Sequence, residues 1–296
     1  MTFTLEPTSD GVDLVVRGDW TPEAAACFHE GVADGIVVNY ALGFREKDLE
    51  FLRGLPIRRV RILARWLTDL SPLYSIPPGI VSLRVESNSS ATLELERFPL
   101  LRELSTSWSQ VQGSLRYAQE LQTLYLNSYT EKDLEPIAYV RSLVSISIKE
   151  RAHVQSLDGL EALPWLRVLG IYVARKLHDI SALARSASPV LETLRLSFCQ
   201  KVSDVTPVAA CSALTFFEFS ECGDILSVVP LGELRYLERL YLYGTTKILD
   251  GDLRPLSALP SLRDLRLKSR PNYSPPRSEL EQHIVNRQQR PPGSLR

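Results

Sequence analysis

Cysteine and long apolar runs are both scarce in this chain. Its 296 residues include four cysteines, at positions 27, 199, 211 and 222, which are too few for a disulfide framework. No stretch approaches the roughly 18 apolar residues that a membrane span needs. The first residues lack the basic and apolar regions of a secretory signal. We therefore expect a cytoplasmic protein that does not bind a membrane.

A surplus of charge is also missing. The 34 basic and 35 acidic side chains leave a formal net charge of −1, which provides no general attraction to nucleic acid or to a membrane surface. Arginine outnumbers lysine 27 to 7, a bias that suggests a bacterial source with a GC-rich genome. Apolar residues make up 44% of the chain, so there is enough material for a sizeable core.

The motifs of catalysis are missing as well. The sequence contains no Gly-rich phosphate loop, no G-x-S-x-G elbow, no H-E-x-x-H and no paired C-x-x-C. The four histidines lie far apart in the chain, and two cysteines one repeat apart do not make a closed zinc site. The sequence therefore predicts a protein that is not an enzyme and that holds neither a cofactor nor a metal.

Leucine, in contrast, is abundant, with 48 residues, and it follows a repeat. Apolar side chains recur at positions one, four and six of each unit, as in Leu166, Leu169 and Ile171. Ten such triplets begin at residues 57, 80, 101, 121, 143, 166, 191, 214, 237 and 262, and a degenerate copy begins at residue 33. The alternation of positions four and six predicts one short strand per repeat, with one face buried.

This pattern, L-x-x-L-x-L-x-x-N/C, resembles the leucine-rich repeat over residues 33–270. The resemblance implies an α/β solenoid: a leucine-rich repeat horseshoe with a concave parallel β-sheet, short helical or 3-10 convex segments and an N-terminal cap. Repeats must stack, because no single repeat can bury its own leucines. At the ninth position the family pattern is matched by Asn88, Cys199, Cys222 and Thr245, but not by Arg65, Tyr129, Arg151 or Ala174.

The second half of several repeats carries an aspartate before a predicted short helical turn, for example Asp179 and Asp204. This element is similar to that of the short, roughly 22-residue repeats of the internalin-like subclass. The aspartate is expected to accept backbone N–H bonds at the start of the turn, and Pro207 lies early enough in its turn to be tolerated. Residues 80–120 lack the element.

Three segments follow from these signals. Residues 1–32 are predicted to form an N-terminal cap, with a hairpin turning at Ser9-Asp10-Gly11 and a helix that begins at Thr21-Pro22 and stops at Gly31. Residues 33–270 hold about 11 repeats. Residues 271–296 form a C-terminal cap and tail, with a polar helix over 278–289 and a flexible end from residue 290 onward.

Positions three, five, seven and eight of each repeat are expected to leave the inner face of the sheet or its rim. Tyrosine, tryptophan and arginine there are typical of interface hot spots, although sheets also favour aromatics through cross-strand packing. The predicted partner-binding residues are Arg59, Arg61, Arg84, Trp108, Tyr125, Tyr172, Arg195, Phe198, Phe216, Glu218, Arg239, Tyr241, Tyr243 and Arg266. Both charge signs occur among them, which favours a protein partner over a polyanion.

The leading hypothesis is a non-enzymatic recognition module that binds another protein on its concave face and is monomeric when unbound. A narrower version is an inhibitor or immunity-type protein that blocks a partner enzyme or toxin. A third hypothesis is a polysaccharide or nucleic-acid binder, which the aromatics allow but the interspersed acidic residues oppose.

Overall fold

The structure is a computed structural model that describes residues 2–77, 79–88, 90–185 and 190–288. The chain divides into two compact units, Met1–Asn127 and Ser128–Arg296. We call them the N-terminal unit and the C-terminal unit and describe each by itself.

The N-terminal unit opens with the predicted hairpin and helix. Strands β1 (Phe3–Thr8) and β2 (Gly11–Val16) pair antiparallel. Helix α1 (Pro22–His29) begins after Thr21, whose side chain accepts a hydrogen bond from the N–H of Ala24. Extended backbone at Thr21 and a proline in the first turn are the usual signals for a helix start, so the sequence located this helix correctly.

One strand per repeat then follows in the N-terminal unit. These strands are β3 (Gly35–Asn39), β4 (Arg59–Leu63), β5 (Ser82–Glu86), β6 (Glu103–Ser107) and β7 (Thr123–Asn127). Each pairs parallel with the next, and β2 pairs parallel with β3. The fourth repeat positions are aligned across the sheet, since Val60 pairs with Leu83 and Leu83 with Leu104.

The C-terminal unit repeats this arrangement. Its strands are β8 (Ser145–Lys149), β9 (Val168–Tyr172), β10 (Thr193–Ser197), β11 (Phe216–Ser220), β12 (Arg239–Leu242) and β13 (Asp264–Leu267). They pair parallel in sequence order, with Leu169, Leu194, Phe217, Leu240 and Leu265 in one row. Parallel strands at the predicted repeat positions confirm the leucine-rich repeat interpretation.

The core lies between each sheet and the segments that return behind it. Leu166, Leu169 and Ile171, at positions one, four and six of one repeat, are all fully buried. Burial of a leucine or isoleucine contributes about 1.5–3 kcal/mol. The ladder of such residues is therefore the main stabilising element of both units.

The returning segments are short helices and 3-10 turns. In the N-terminal unit they are Tyr40–Leu42, Glu50–Leu52, Ser71–Ser75, Leu95–Arg97, α2 (Trp108–Val111) and Leu115–Tyr117. In the C-terminal unit they are Leu160–Ala162, α3 (Ala182–Arg185), Thr206–Ala210, Val229–Glu233 and α4 (Arg254–Ser257). Such tight turns suit a repeat of little more than 20 residues, because a full helix would need more chain.

Aspartates begin many of these turns, as predicted. The Oδ1 atoms of Asp179 and Asp204 each accept a hydrogen bond of 2.8 Å, from the N–H of Ser181 and Thr206 respectively. The same bond occurs at four aspartates that the sequence analysis did not single out: Asp48, Asp69, Asp133 and Asp252.

The C-terminal unit ends in helix α5 (Arg277–Gln288), close to the predicted span 278–289. Leu280 and Ile284, which lie on one side of this otherwise polar helix, are buried. The predicted flexible end from residue 290 lies outside the described residues, and the three predicted segment boundaries stay a prediction.

Candidate functional site

Two rows of side chains cross the open face of the C-terminal sheet, opposite the core. The register aligns Phe216, Arg239 and Asp264 at the third repeat position. It also aligns Arg195, Glu218, Tyr241 and Arg266 at the fifth position. Successive strand residues point to opposite faces, so these rows share one face while the leucines fill the other.

Phe216 is the centre of this cluster. The guanidinium carbons of Arg195 and Arg239 lie 4.8 and 4.4 Å from the centroid of its ring. These cation–π contacts leave the Phe216 side chain only 3% exposed. The prediction that Phe216 is an accessible contact residue is therefore wrong, because its neighbours on the sheet face cover it.

Tyr241 extends the cluster. Its ring meets Phe216 edge-on at 4.9 Å, and the guanidinium carbon of Arg266 lies 4.3 Å from its centroid. The hydroxyl of Tyr241 donates a hydrogen bond of 2.6 Å to Oδ2 of Asp264. That bond, with some burial and the nearby negative charge, raises the pKa of Tyr241, so the phenol stays protonated. Tyr243 lies beside it, with 6.3 Å between ring centroids and an exposed side chain.

We call this cluster the aromatic–arginine face and define it as Arg195, Phe216, Arg239, Tyr241, Tyr243 and Arg266. Glu218 lies within it: Oε1 accepts a hydrogen bond of 2.8 Å from the hydroxyl of Ser197, and Oε2 lies 3.9 Å from Nε of Arg195. Within the described residues, the buried Nε of Arg195 has no hydrogen-bond partner. A donor that is held without a partner is costly unless a ligand or water supplies an acceptor.

The eighth repeat position forms a rim beside this face. Val173, Phe198 and Glu221 adopt left-handed backbone angles there, with φ between 53° and 59°. Their N–H groups donate to carbonyls of the following repeat at 2.8–3.2 Å, and these bonds hold the strained conformation in place. Phe198 is 50% exposed, as its prediction required, and Val173 is exposed beside it. The sequence analysis missed Val173, although its repeat position was the available signal.

Tyr172 is half-buried, and its position depends on a glycine. The Nζ atom of Lys149 lies 5.4 Å from the centroid of its ring. The ring covers Gly170, where an added Cβ would come within 2.7 Å of Cε2 of Tyr172. Gly170 is thus the small residue that lets the tyrosine lie flat on the sheet.

The predicted contact residues of the N-terminal unit lie in three different environments. Arg61, Arg84 and Tyr125 are exposed on the sheet face, as predicted. Arg59 is instead mostly buried, because its guanidinium pairs with Asp13 at 2.9 Å and with Asp34 at 2.7 Å. Trp108 was expected on the rim, but it is only 3% exposed, so that expectation is wrong. It begins α2, which turns its side chain into the core.

The cysteines at the ninth position have a structural role. The Sγ atom of Cys199 contacts the carbonyls of Ile171 and Ser197, and that of Cys222 contacts the carbonyls of Leu196 and Ser220. Burial raises the pKa of the Cys211 thiol to about 11, so this thiol is not ionised at neutral pH. Across the described residues, no group of three or more His, Cys, Asp or Glu side chains is arranged to hold a metal ion.

Two details of the ninth position differ from the prediction. Thr245 is exposed, whereas Thr246 is buried and its Oγ1 accepts a hydrogen bond of 2.9 Å from the N–H of Cys222. This repeat carries one extra residue before the buried site. Tyr129, which departs from the family pattern, nevertheless fills the same kind of site: its buried hydroxyl donates to the carbonyl of Asp133 at 2.8 Å.

Comparison with solved structures agrees with this geometry. An internalin (inlF) of Listeria monocytogenes is similar, with a TM-score of 0.65 and 20% identity, over 88% of this chain and 74% of that one. A leucine-rich repeat protein of Leptospira interrogans has a TM-score of 0.52 and 14% identity, over 87% of this chain and 77% of that one. No family model and no curated protein sequence matches the chain. The fold is that of the leucine-rich repeat proteins and resembles the internalins among them.

The helices were compared with the length and hydropathy that a membrane span needs. In the part of the chain that the structure describes, none is long and apolar enough to cross a bilayer.

Proposed function

We propose that the chain is a non-enzymatic module that recognises a partner protein through the aromatic–arginine face. The observation that carries the proposal is the ladder in which two arginines cover Phe216 and a third covers Tyr241. Stacking fixes the flat sides of these guanidiniums, and the exposed Arg239 and Arg266 can direct N–H groups to carboxylates and carbonyls. Such a preorganised surface loses little side-chain entropy when a partner binds.

The charges on this face favour a protein over a polyanion. Glu218 and Asp264 stand in the same rows as the arginines, and the carboxylate of Asp264 already engages Tyr241. A nucleic acid or an acidic polysaccharide would bring phosphates or sugar acids against these carboxylates. A protein surface of mixed charge can complement both signs. The inhibitor or immunity-type role is one form of the same proposal, in which the recognised protein is an enzyme or toxin.

We further propose that the module acts in the cytoplasm and is monomeric before it binds. All four cysteines are free thiols, a state that suits a reducing compartment.

The test begins with a partner captured from native lysate and identified by mass spectrometry, followed by calorimetric titration of variants. Tyr243→Ala and Arg239→Ala each remove an exposed side chain of the face. At an anchor position each should weaken binding by about 2 kcal/mol, or roughly thirtyfold in Kd, and leave the melting temperature nearly unchanged.

Two matched controls lie just before Leu237, the first leucine of the same repeat, and outside strand β12. Tyr236→Ala and Arg235→Ala delete the same side chains at exposed positions before the first leucine, and they should bind like wild type. If the face variants also bind like wild type, the partner contacts another surface. If the control variants lose as much affinity as the face variants, binding does not depend on the aromatic–arginine face.

A further inference from the structure

A cleft lies at the beginning of the N-terminal sheet, where the turn of the first hairpin reaches the sheet face. It measures about 240 Å³, with Thr8, Ser9 and Asp10 on one wall and residues of β4 and β5 on its floor. Nη1 of Arg59 donates a hydrogen bond of 2.6 Å to the carbonyl of Asp10 and so fixes the turn to the sheet. The cleft therefore has a fixed wall, because this bond holds the hairpin turn against the sheet.

Two arginines on the floor of the cleft are neighbours of like charge. Arg61 on β4 and Arg84 on β5 are register partners, and both side chains are exposed. Like charges directly opposite each other on adjacent strands are destabilising. Within the described residues neither arginine forms an ion pair, in contrast with Arg59, which lies two residues before Arg61 on β4.

The carboxylates of Glu86 on β5 and Glu103 on β6 have partners other than Arg84. Oε2 of Glu103 accepts a hydrogen bond of 3.0 Å from the hydroxyl of Ser82, and Oε2 of Glu86 lies 3.9 Å from Nη2 of Arg65. The two guanidiniums thus form an adjacent pair of donor groups that has no acidic ion-pair partner within the described residues. A bound anion would remove their repulsion and use both donor groups at once.

We infer that Arg61 and Arg84 together bind one carboxylate of a partner, inside this cleft. The acidic residues around it, Asp10, Asp13 and Glu103, oppose an ion of higher charge such as phosphate. The hydroxyls of Thr8, Ser9 and Ser82 offer additional hydrogen bonds to a polar peptide. The carboxylate belongs either to an Asp or Glu side chain or to a C-terminus. The site goes beyond the proposed function and does not depend on the aromatic–arginine face.

The test is an NMR titration of the full chain, in which the Nε–Hε signals of the two arginines are assigned from Arg61→Lys and Arg84→Lys. The probes are acetyl-Ala-Glu-Ala-amide, acetyl-Ala-Ala-Ala with a free C-terminus, neutral acetyl-Ala-Gln-Ala-amide and inorganic phosphate, all at constant ionic strength. We expect at least one carboxylate peptide to shift both signals to saturation, and the stronger of the two identifies the source. The neutral peptide should shift neither signal.

Variants test whether Arg61 and Arg84 bind a ligand or only support the structure. Arg84→Thr should weaken the carboxylate response of Arg61 by about tenfold, while Arg116→Thr, an exposed arginine outside the cleft, should leave it unchanged. Because it removes a like-charge neighbour, Arg84→Thr should also maintain or raise the melting temperature at low salt. The inference is overturned if the neutral peptide shifts the signals equally, or if phosphate binds more tightly than both carboxylates. It is also overturned if no probe saturates, or if Arg84→Thr lowers the melting temperature.

Discussion

Arg59 shows how far a residue's role depends on its neighbours in space. Its repeat position predicts an exposed contact residue, yet its guanidinium joins the cap to the repeats through Asp13 and Asp34. The hairpin and Gly35 make this possible, because a Cβ at Gly35 would collide with Asp13 and Arg59. Arg61, two residues later on the same strand, forms no such ion pair with any residue that the structure describes, and it stays exposed. The repeat pattern treats the two arginines alike, and only the carboxylates of Asp13 and Asp34 distinguish them.

We predict that Arg59→Met destabilises the N-terminal unit by about 2–3 kcal/mol, because it leaves two partly buried carboxylates without their cation. Burial alone would raise the pKa of Asp34, but hydrogen bonds from Arg59 and from the N–H of Val12 outweigh it, and the pKa falls below its usual 3.8. The stability that Asp34 contributes is therefore present above pH 3.8 and is lost as the pH falls through the lowered pKa.

Urea unfolding of wild type and Arg59→Met over a pH series checks both the destabilisation and its pH dependence. The difference in unfolding free energy between the two proteins should shrink in acid, as Asp34 becomes protonated. A difference that is absent at neutral pH would contradict the structural role of Arg59.

At the scale of elements, the strands and the returning turns are specified by different signals. The strands follow from the alternation of leucine with polar residues, and their bounds agree with that pattern in both units. Many of the turns begin with one hydrogen bond, which the backbone N–H donates to the side chain of an aspartate two residues earlier. A short turn has few other backbone bonds, so this cap is a large share of its local stabilisation.

We therefore predict that Asp179→Ala lowers stability by about 1 kcal/mol, since the N–H of Ser181 loses its acceptor. Asp179→Asn keeps an oxygen in the same place and should recover most of the loss. Thermal unfolding of the three proteins gives the comparison. Equal melting temperatures for the alanine variant and wild type would mean that the cap contributes little.

At the scale of the whole molecule, neighbouring repeats stabilise one another through the packed leucines of the ladder. Leu194 and Leu240 are fully buried at the fourth position of repeats that are separated by β11. In a solenoid each repeat contacts chiefly its immediate neighbours, so the effects of distant substitutions should be independent.

We predict that Leu194→Ala and Leu240→Ala each cost about 2–5 kcal/mol. Their double variant should be additive to within about 0.5 kcal/mol. Leu194→Ala combined with Phe217→Ala should depart from additivity, because those two residues are register partners on adjacent strands. Chemical denaturation of the single and double variants checks both statements. Strong coupling between Leu194 and Leu240 would contradict the nearest-neighbour description.

We also predict that reducing agent leaves the melting temperature unchanged. The four cysteines are free thiols, and the sulfurs of Cys199 and Cys222 contact backbone carbonyls instead of forming a bridge. Calorimetry with and without dithiothreitol is the measurement. A marked fall in melting temperature on reduction would show that a cysteine pair is covalently linked.

The sequence by itself determined the fold class, the strand positions, the cap hairpin, helix α1 and the polar C-terminal helix. These features depend on local patterns: the period of the apolar residues, the caps of the turns and the residues of the hairpin. Only the tertiary structure decided which side chains of the sheet face remain accessible. Trp108 is buried because α2 turns it inward, Phe216 because two arginines from adjacent strands cover it, and Arg59 because Asp13 and Asp34 supply carboxylates. The contacts of Phe216 and Arg59 join residues that lie 20 or more positions apart in the chain, and the repeat pattern of a single sequence does not encode them.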